Sequence, residues 1–211
     1  MSRAPQKPRT LRRLLATALV LAAGFVAGSI WLFSGSVVTC EERMAADDGP
    51  SLLCAFEVGA LAEAVWDAFT RVGEPRRQYF AAILEAEMRP GGRWRFVTDD
   101  RERFLAGGEV LAIDRPRRFA HSFQAADLAD PPSRVTVEIE ETSGGSRVTL
   151  VHDRFPGKTA TYRRFRRAHP LALSALKSLL ETGELPLRAR IYTALFKPGM
   201  KMFGVRAEPW E

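Results

Sequence analysis

From Leu84 to Val97 the chain reads LEAEMRPGGRWRFV, and its alternation assigns faces. Leu84, Ala86 and Met88 fall on one side of a strand, Glu85, Glu87 and Arg89 on the other. Arg89-Pro90-Gly91-Gly92 supplies the reversal, because Pro90 presets one backbone angle and glycine tolerates a positive φ. On the return run Trp94 and Phe96 point one way, and Arg93, Arg95 and Val97 the other. This pattern predicts a hairpin with one aromatic-lined face, which needs cover. The same period of two recurs over Glu109 to Ile113, Arg118 to Phe123, Arg134 to Glu141 and Arg147 to Asp153, with a shorter strand at Leu52 to Val58. Phe119, His121 and Phe123 share a face, as do Val148, Leu150 and His152. Short turns join the last four strands, which makes an antiparallel meander the natural topology.

Three stretches carry helical spacing instead. Leu61, Val65, Trp66 and Phe69 line one face of Leu61 to Thr70, and Gly73-Glu74-Pro75 opens a short second helix through about Phe80. Pro170 to Thr182 places Leu173, Leu176 and Leu180 on one side, with Pro170 suited to a first turn and Gly183 and Pro186 ending the run. An antiparallel sheet with a short helical pair and one longer terminal helix is an α+β class.

The chain has 211 residues and a net charge of +6. Of the 31 basic residues, Arg3, Lys7, Arg9, Arg12 and Arg13 precede the first acidic residue, Glu41; the other 26 face 25 acidic ones. The folded part is therefore nearly neutral, and no nucleic-acid partner is indicated. Residues 14–33 carry no charge, and at helical rise they span roughly 30 Å. They are read as a transmembrane signal anchor behind a basic cytoplasmic stretch 1–13, the competing reading being a cleaved secretory signal. The flanking charges then place the N-terminus in the cytoplasm and the globular part outside, on the periplasmic side in a bacterium. Residues 34–50 read as a linker. Cys40 and Cys54 either close a small loop or stand as a free thiol and a half-buried strand residue.

The order of these motifs resembles a known family. Arg89-Pro90-Gly91-Gly92-Arg93-Trp94-Arg95-Phe96, then Gly108 to Arg118 (GEVLAIDRPRR), Val135 to Glu141 (VTVEIEE), Arg147 to His152 (RVTLVH) and Leu176 to Glu181 (LKSLLE) look like the SRPBCC (START-like, Bet v 1-like) superfamily, in the branch named for the activator of Hsp90 ATPase. The resemblance covers residues 51–185. It implies a helix-grip fold, a curved antiparallel sheet wrapped around the long C-terminal helix with a hydrophobic cavity between them.

No metal-ligand spacing, phosphate loop or cofactor motif is present, so neither a metal nor a cofactor is expected. What remains is an apolar lining with few polar groups, the composition of a small-molecule pocket. Trp66, Met88, Trp94, Phe96, Phe104, Phe119, His121, Phe123, His152, Leu173 and Leu176 are the candidate ligand-binding residues; for each the bland alternative is ordinary core. The expected function is binding of a hydrophobic small molecule or lipid. Two alternatives stand beside it: a cyclase- or hydrolase-like enzyme with His121 or His152 as acid/base, and a protein-interaction module like the chaperone activator. Lys158 to Arg167 (KTATYRRFRR) reads as a solvated basic face. The basic, amphipathic tail 186–211 mixes apolar residues and cations over 187–206; it suits either a bilayer interface or packing back onto the domain.

Overall fold

The computed structural model describes residues 38–45, 49–199, 202 and 204–210. Its strands are β1 (Cys40–Ala45), β2 (Gly49–Val58), β3 (Pro75–Arg76), β4 (Ala82–Ala86), β5 (Arg93–Val97), β6 (Arg103–Asp114), β7 (Arg118–Ala125), β8 (Ser133–Thr142), β9 (Gly145–Asp153) and β10 (Val205–Arg206). Helix α1 is Ala62–Thr70, α2 is Ala160–Thr182 and α3 is Leu187–Phe196. The sheet is antiparallel in the order β1-β2-β9-β8-β7-β6-β5-β4-β3, with β10 added beside the start of β6. It is the expected α+β helix-grip arrangement. The hairpin forms in the predicted register: Ala86 faces Trp94, Leu84 faces Phe96, and Glu85 faces Arg95 at 2.7 Å between their charged atoms. Gly91 turns it at φ 78°.

Helix α2 sets the interior. Thr159 caps it by accepting the Tyr162 N–H, and Asp130 accepts the Thr161 N–H at 2.6 Å; Gly183, left-handed at φ 74°, ends it. Leu173 and Leu176 are buried in one cluster with Trp94, Phe123 and the inward row Val135, Val137 and Ile139 of β8. Burying each such leucine contributes roughly 1.5–3 kcal/mol.

Several expectations are corrected. The long helix starts at Ala160, ten residues before Pro170, which lies inside it. Proline removes one helical N–H, a local loss that the packed length on either side offsets. Most of the run 158–167 is thus its first part, and three of its cations find carboxylates: Arg164 pairs with Asp127, and Arg166 and Lys158 with Glu42. The short helix expected at 73–80 is instead β3 followed by a turn at Arg77–Tyr79. Arg76 turns back to give its guanidinium hydrogens to the carbonyls of Ala68 and Arg71, satisfying the C-terminal end of α1. Within the stretch read as a linker, Cys40–Ala45 is an edge strand, whose charged CEERMA sequence carries no alternating apolar signal. It pairs residue by residue with β2 and is joined to it by a Cys40–Cys54 disulfide.

The tail returns to the domain. Ala189 of α3 packs with Ala175 and Leu185, Tyr192 stacks on Phe80, and β10 pairs with Arg103 and Phe104. Trp210 lies under the guanidinium groups of Arg93 and Arg95, at 5.2 and 4.8 Å. The membrane placement is also corrected: among the described residues no helix is long and apolar enough to cross a membrane. The proposed span 14–33 lies outside the described residues.

Replacing both Cys40 and Cys54 by alanine should lower the unfolding free energy by about 3 kcal/mol, the entropic value for a loop of this length. Urea unfolding checks it, with dithiothreitol lowering the native protein by a similar amount and leaving the double variant unchanged.

Candidate functional site

The site is built where the β6–β7 ladder gives way. Gly107 faces Gln124 and Val110 faces His121, but the two residue pairs between them are not joined. The Ser122 carbonyl is turned inward, where it accepts the Trp94 indole N–H at 2.9 Å and lies 3.0 Å from His121 Nδ1. A carbonyl can only accept, so Nδ1 of His121 carries the proton. In the ladder, the Ser122 hydroxyl stands in for the missing carbonyl and accepts the Glu109 N–H at 2.8 Å. One residue thereby holds the strand pair together and orients two interior rings.

Beside this break lies a pocket of about 410 Å³, where β6, β7 and the loop 126–132 meet. Phe104, Gly107, Gly108, Ser122, Gln124, Leu128 and Pro132 are among its lining residues. The glycines are required. A Cβ at Gly108 would sit 2.4 Å from the Ser122 carbonyl oxygen, and one at Gly107 would meet the Phe104 ring at 2.9 Å. Ala125 and Leu128 belong both to the pocket wall and to the core, so the pocket borders directly on the interior.

The predicted lining residues are brought together with one exception. Trp66, Trp94, Phe119, Phe123, Leu173 and Leu176 form a single buried cluster, with Met88 and Phe96 packed against it. His121 joins through ring contacts to Trp94 (4.4 Å) and Phe119 (5.2 Å), and His152 through Phe123 (5.6 Å). These rings pack edge to face across the interior. Phe104 stands apart from the cluster and walls the pocket. Sequence reading missed Gly107, Gly108 and Ser122, although the adjacent glycines in a strand were a signal for close backbone approach. It also missed His169, which the early start of α2 carries to His152.

The histidines are structural in their bonding. His152 Nε2 lies 2.7 Å from the Ser133 hydroxyl, and its Nδ1 lies 2.9 Å from His169 Nε2. Ser133 donates its proton to the Phe123 carbonyl, so His152 donates to Ser133 and accepts from His169. His152 is 0% exposed, and both of its nitrogens are bonded within the core. Burial pushes His121 down to about 4 and His169 down to about 3. It also holds His152 well below 6.5, with His169 adding to the effect. All three are neutral at pH 7. Among the described residues no cluster of three His, Cys, Asp or Glu side chains offers a metal site.

The model of the activator of Hsp90 ATPase homolog 1-like proteins matches residues 60–181, from just before α1 to the last turn of α2. The chain belongs to that family. Three solved structures share the fold at low identity. CalU16 from Micromonospora echinospora is 17% identical with a TM-score of 0.53, over 79% of this chain and 96% of its own. Protein Ms6760 from Mycobacterium smegmatis is 20% identical with a TM-score of 0.52, over 69% and 98%. Protein EF2215 from Enterococcus faecalis, a conserved protein of unknown function, is 12% identical with a TM-score of 0.56, over 83% and 95%. No curated protein matches the chain. The family member described here keeps the helix-grip core of its relatives.

The buried histidines generate an acid-sensitive fold. Their folded pKa values lie below the unfolded value of 6.5, so the unfolded chain binds the extra protons and stability falls as pH drops from about 6.5. Each histidine contributes up to about 1.4 kcal/mol per pH unit over that window. Urea midpoints should be level between pH 7 and 8 and should fall between pH 6.5 and 5, less steeply in His169→Gln. A flat profile from pH 7 to 5 contradicts the assignment.

Proposed function

We propose that this domain binds a hydrophobic, uncharged small molecule in the pocket beside the β6–β7 break. The observation that carries the reading is the pocket itself. Its volume of about 410 Å³ suits one small ligand, and its walls combine Phe104, Leu128, Pro132 and alanine methyls with only the polar groups of Ser122, Gln124 and exposed glycine backbone. Among the described residues no lysine, arginine, aspartate or glutamate lines it. Burial of the apolar part of this lining contributes roughly 25 cal/mol per Å². Trp94, His121 and the aromatic cluster form the rigid layer behind the pocket. Trp94 reports on it, because its indole N–H and the pocket's Ser122 share one peptide unit.

The test uses N-phenyl-1-naphthylamine, a neutral apolar fluorophore, titrated into the full chain. Saturable enhancement of the probe with a matching change in tryptophan emission is expected. Ala126→Trp, which fills the pocket from the loop, should weaken binding at least tenfold while the thermal midpoint stays within a few degrees. Absence of a saturable signal across the probe and a panel of lipids and sterols contradicts the reading.

A further inference from the structure

We propose that the natural ligand of this pocket carries a neutral carbonyl, as a ketone, ester or amide does, and that the Ser122 hydroxyl is the group that recognises it. The inference rests on the binding reading above and narrows it to a chemical class.

The argument is an accounting of donors and acceptors at one residue. The Ser122 oxygen already accepts the Glu109 N–H. Its own proton has no acceptor among the described residues, and Ser122 lines the pocket. The ordinary way to hold β6 to β7 would be the Ser122 carbonyl; that oxygen is instead occupied by Trp94 and lies against His121 Nδ1 on the interior side. Substituting a hydroxyl for a carbonyl in a ladder adds one thing a carbonyl lacks, a proton to donate. Accepting from Glu109 also polarises the hydroxyl and strengthens it as a donor. The indole and imidazole N–H groups nearest the pocket are both committed to the Ser122 carbonyl. Gln124 points its amide N–H toward the Asp130 carbonyl at 3.5 Å, the outer limit of a hydrogen bond. The available donor is therefore Ser122, with Gln124 at the rim. The absence of a cation in the lining disfavours a carboxylate, whose charge would lose its hydration with nothing to replace it. The bare backbone of Gly108 lets Ser122 pack directly against β6, since a Cβ there would meet the Ser122 carbonyl oxygen at 2.4 Å and its hydroxyl oxygen at 2.6 Å.

Two nearly isosteric probes test this, 2-acetylnaphthalene and 2-ethylnaphthalene, which differ by a carbonyl oxygen in place of hydrogens. Each is measured by displacement of N-phenyl-1-naphthylamine from the full chain. The readout is the ratio of their dissociation constants in the wild type and in Ser122→Ala and Ser122→Thr. The wild type should favour the acetyl compound over the ethyl one by about fivefold more than Ser122→Ala does, the worth of one neutral hydrogen bond. Ser122→Thr, which keeps the hydroxyl, should retain most of that preference. Loss of the Glu109 bond in Ser122→Ala is a structural effect and weakens both compounds alike, so it leaves the ratio unmoved. An unchanged ratio in Ser122→Ala, with both compounds still binding, overturns the carbonyl assignment and leaves the pocket standing. Failure of both compounds to displace the fluorophore from the wild type overturns the pocket reading, and this inference with it.

Discussion

A curved antiparallel sheet closing on one long helix is the constraint from which the other features follow. Helix α2 presents Leu173 and Leu176 to the sheet, and a sheet that bends gathers Trp94 of β5, Phe123 of β7 and the β8 row into one cluster with them. The edges meet that requirement with separate devices. At one edge the disulfide ties β1 to β2 while Glu42 of β1 takes the Tyr162 hydroxyl at 2.5 Å. At the other, Arg76 satisfies the end of α1 and the turn at Arg77–Tyr79 closes with Phe80 and Ala81 both left-handed. Non-glycine residues are held in that region only where surrounding contacts impose it.

Polar groups inside such a wrapped core cost free energy unless they find hydrogen-bond partners, and least when they are also neutral. The chain His169–His152–Ser133–Phe123 carbonyl meets both conditions, and the Trp94–His121 pair meets them through a single carbonyl. The second solution has a structural cost, since that carbonyl leaves the ladder between β6 and β7. Ser122 offsets the loss with its side chain. The pocket lies at this site, where sheet pairing has been relaxed to satisfy the interior.

How much of this could be read along the chain differs by element. Faces in the 84–97 hairpin, the meander of β6 to β9 and the inward row on β8 follow from alternation, because neighbouring strands share one apolar side. The beginning of α2 does not follow. Thr159 is a good cap, yet the basic run after it and Pro170 both favour a later start. The docking of Arg164 and Arg166 onto Asp127 and Glu42 reverses that balance. The charged strand β1 and the returning tail were illegible for a related reason: each is stabilised by what it pairs with, not by a pattern of its own. Phe104 was picked for its apolar character and does line the pocket; the glycines and the serine that line it too carry no apolar signal at all.

The sequence by itself determined the fold class, the faces of the 84–97 hairpin and the meander of β6 to β9, because those depend on local periodicity and burial. The tertiary structure decided which cysteines join, where the histidines meet and where the sheet opens. Each of these depends on groups far apart in sequence satisfying one another's hydrogen bonds or charges. No local pattern encodes that partnership until the sheet has closed on the helix.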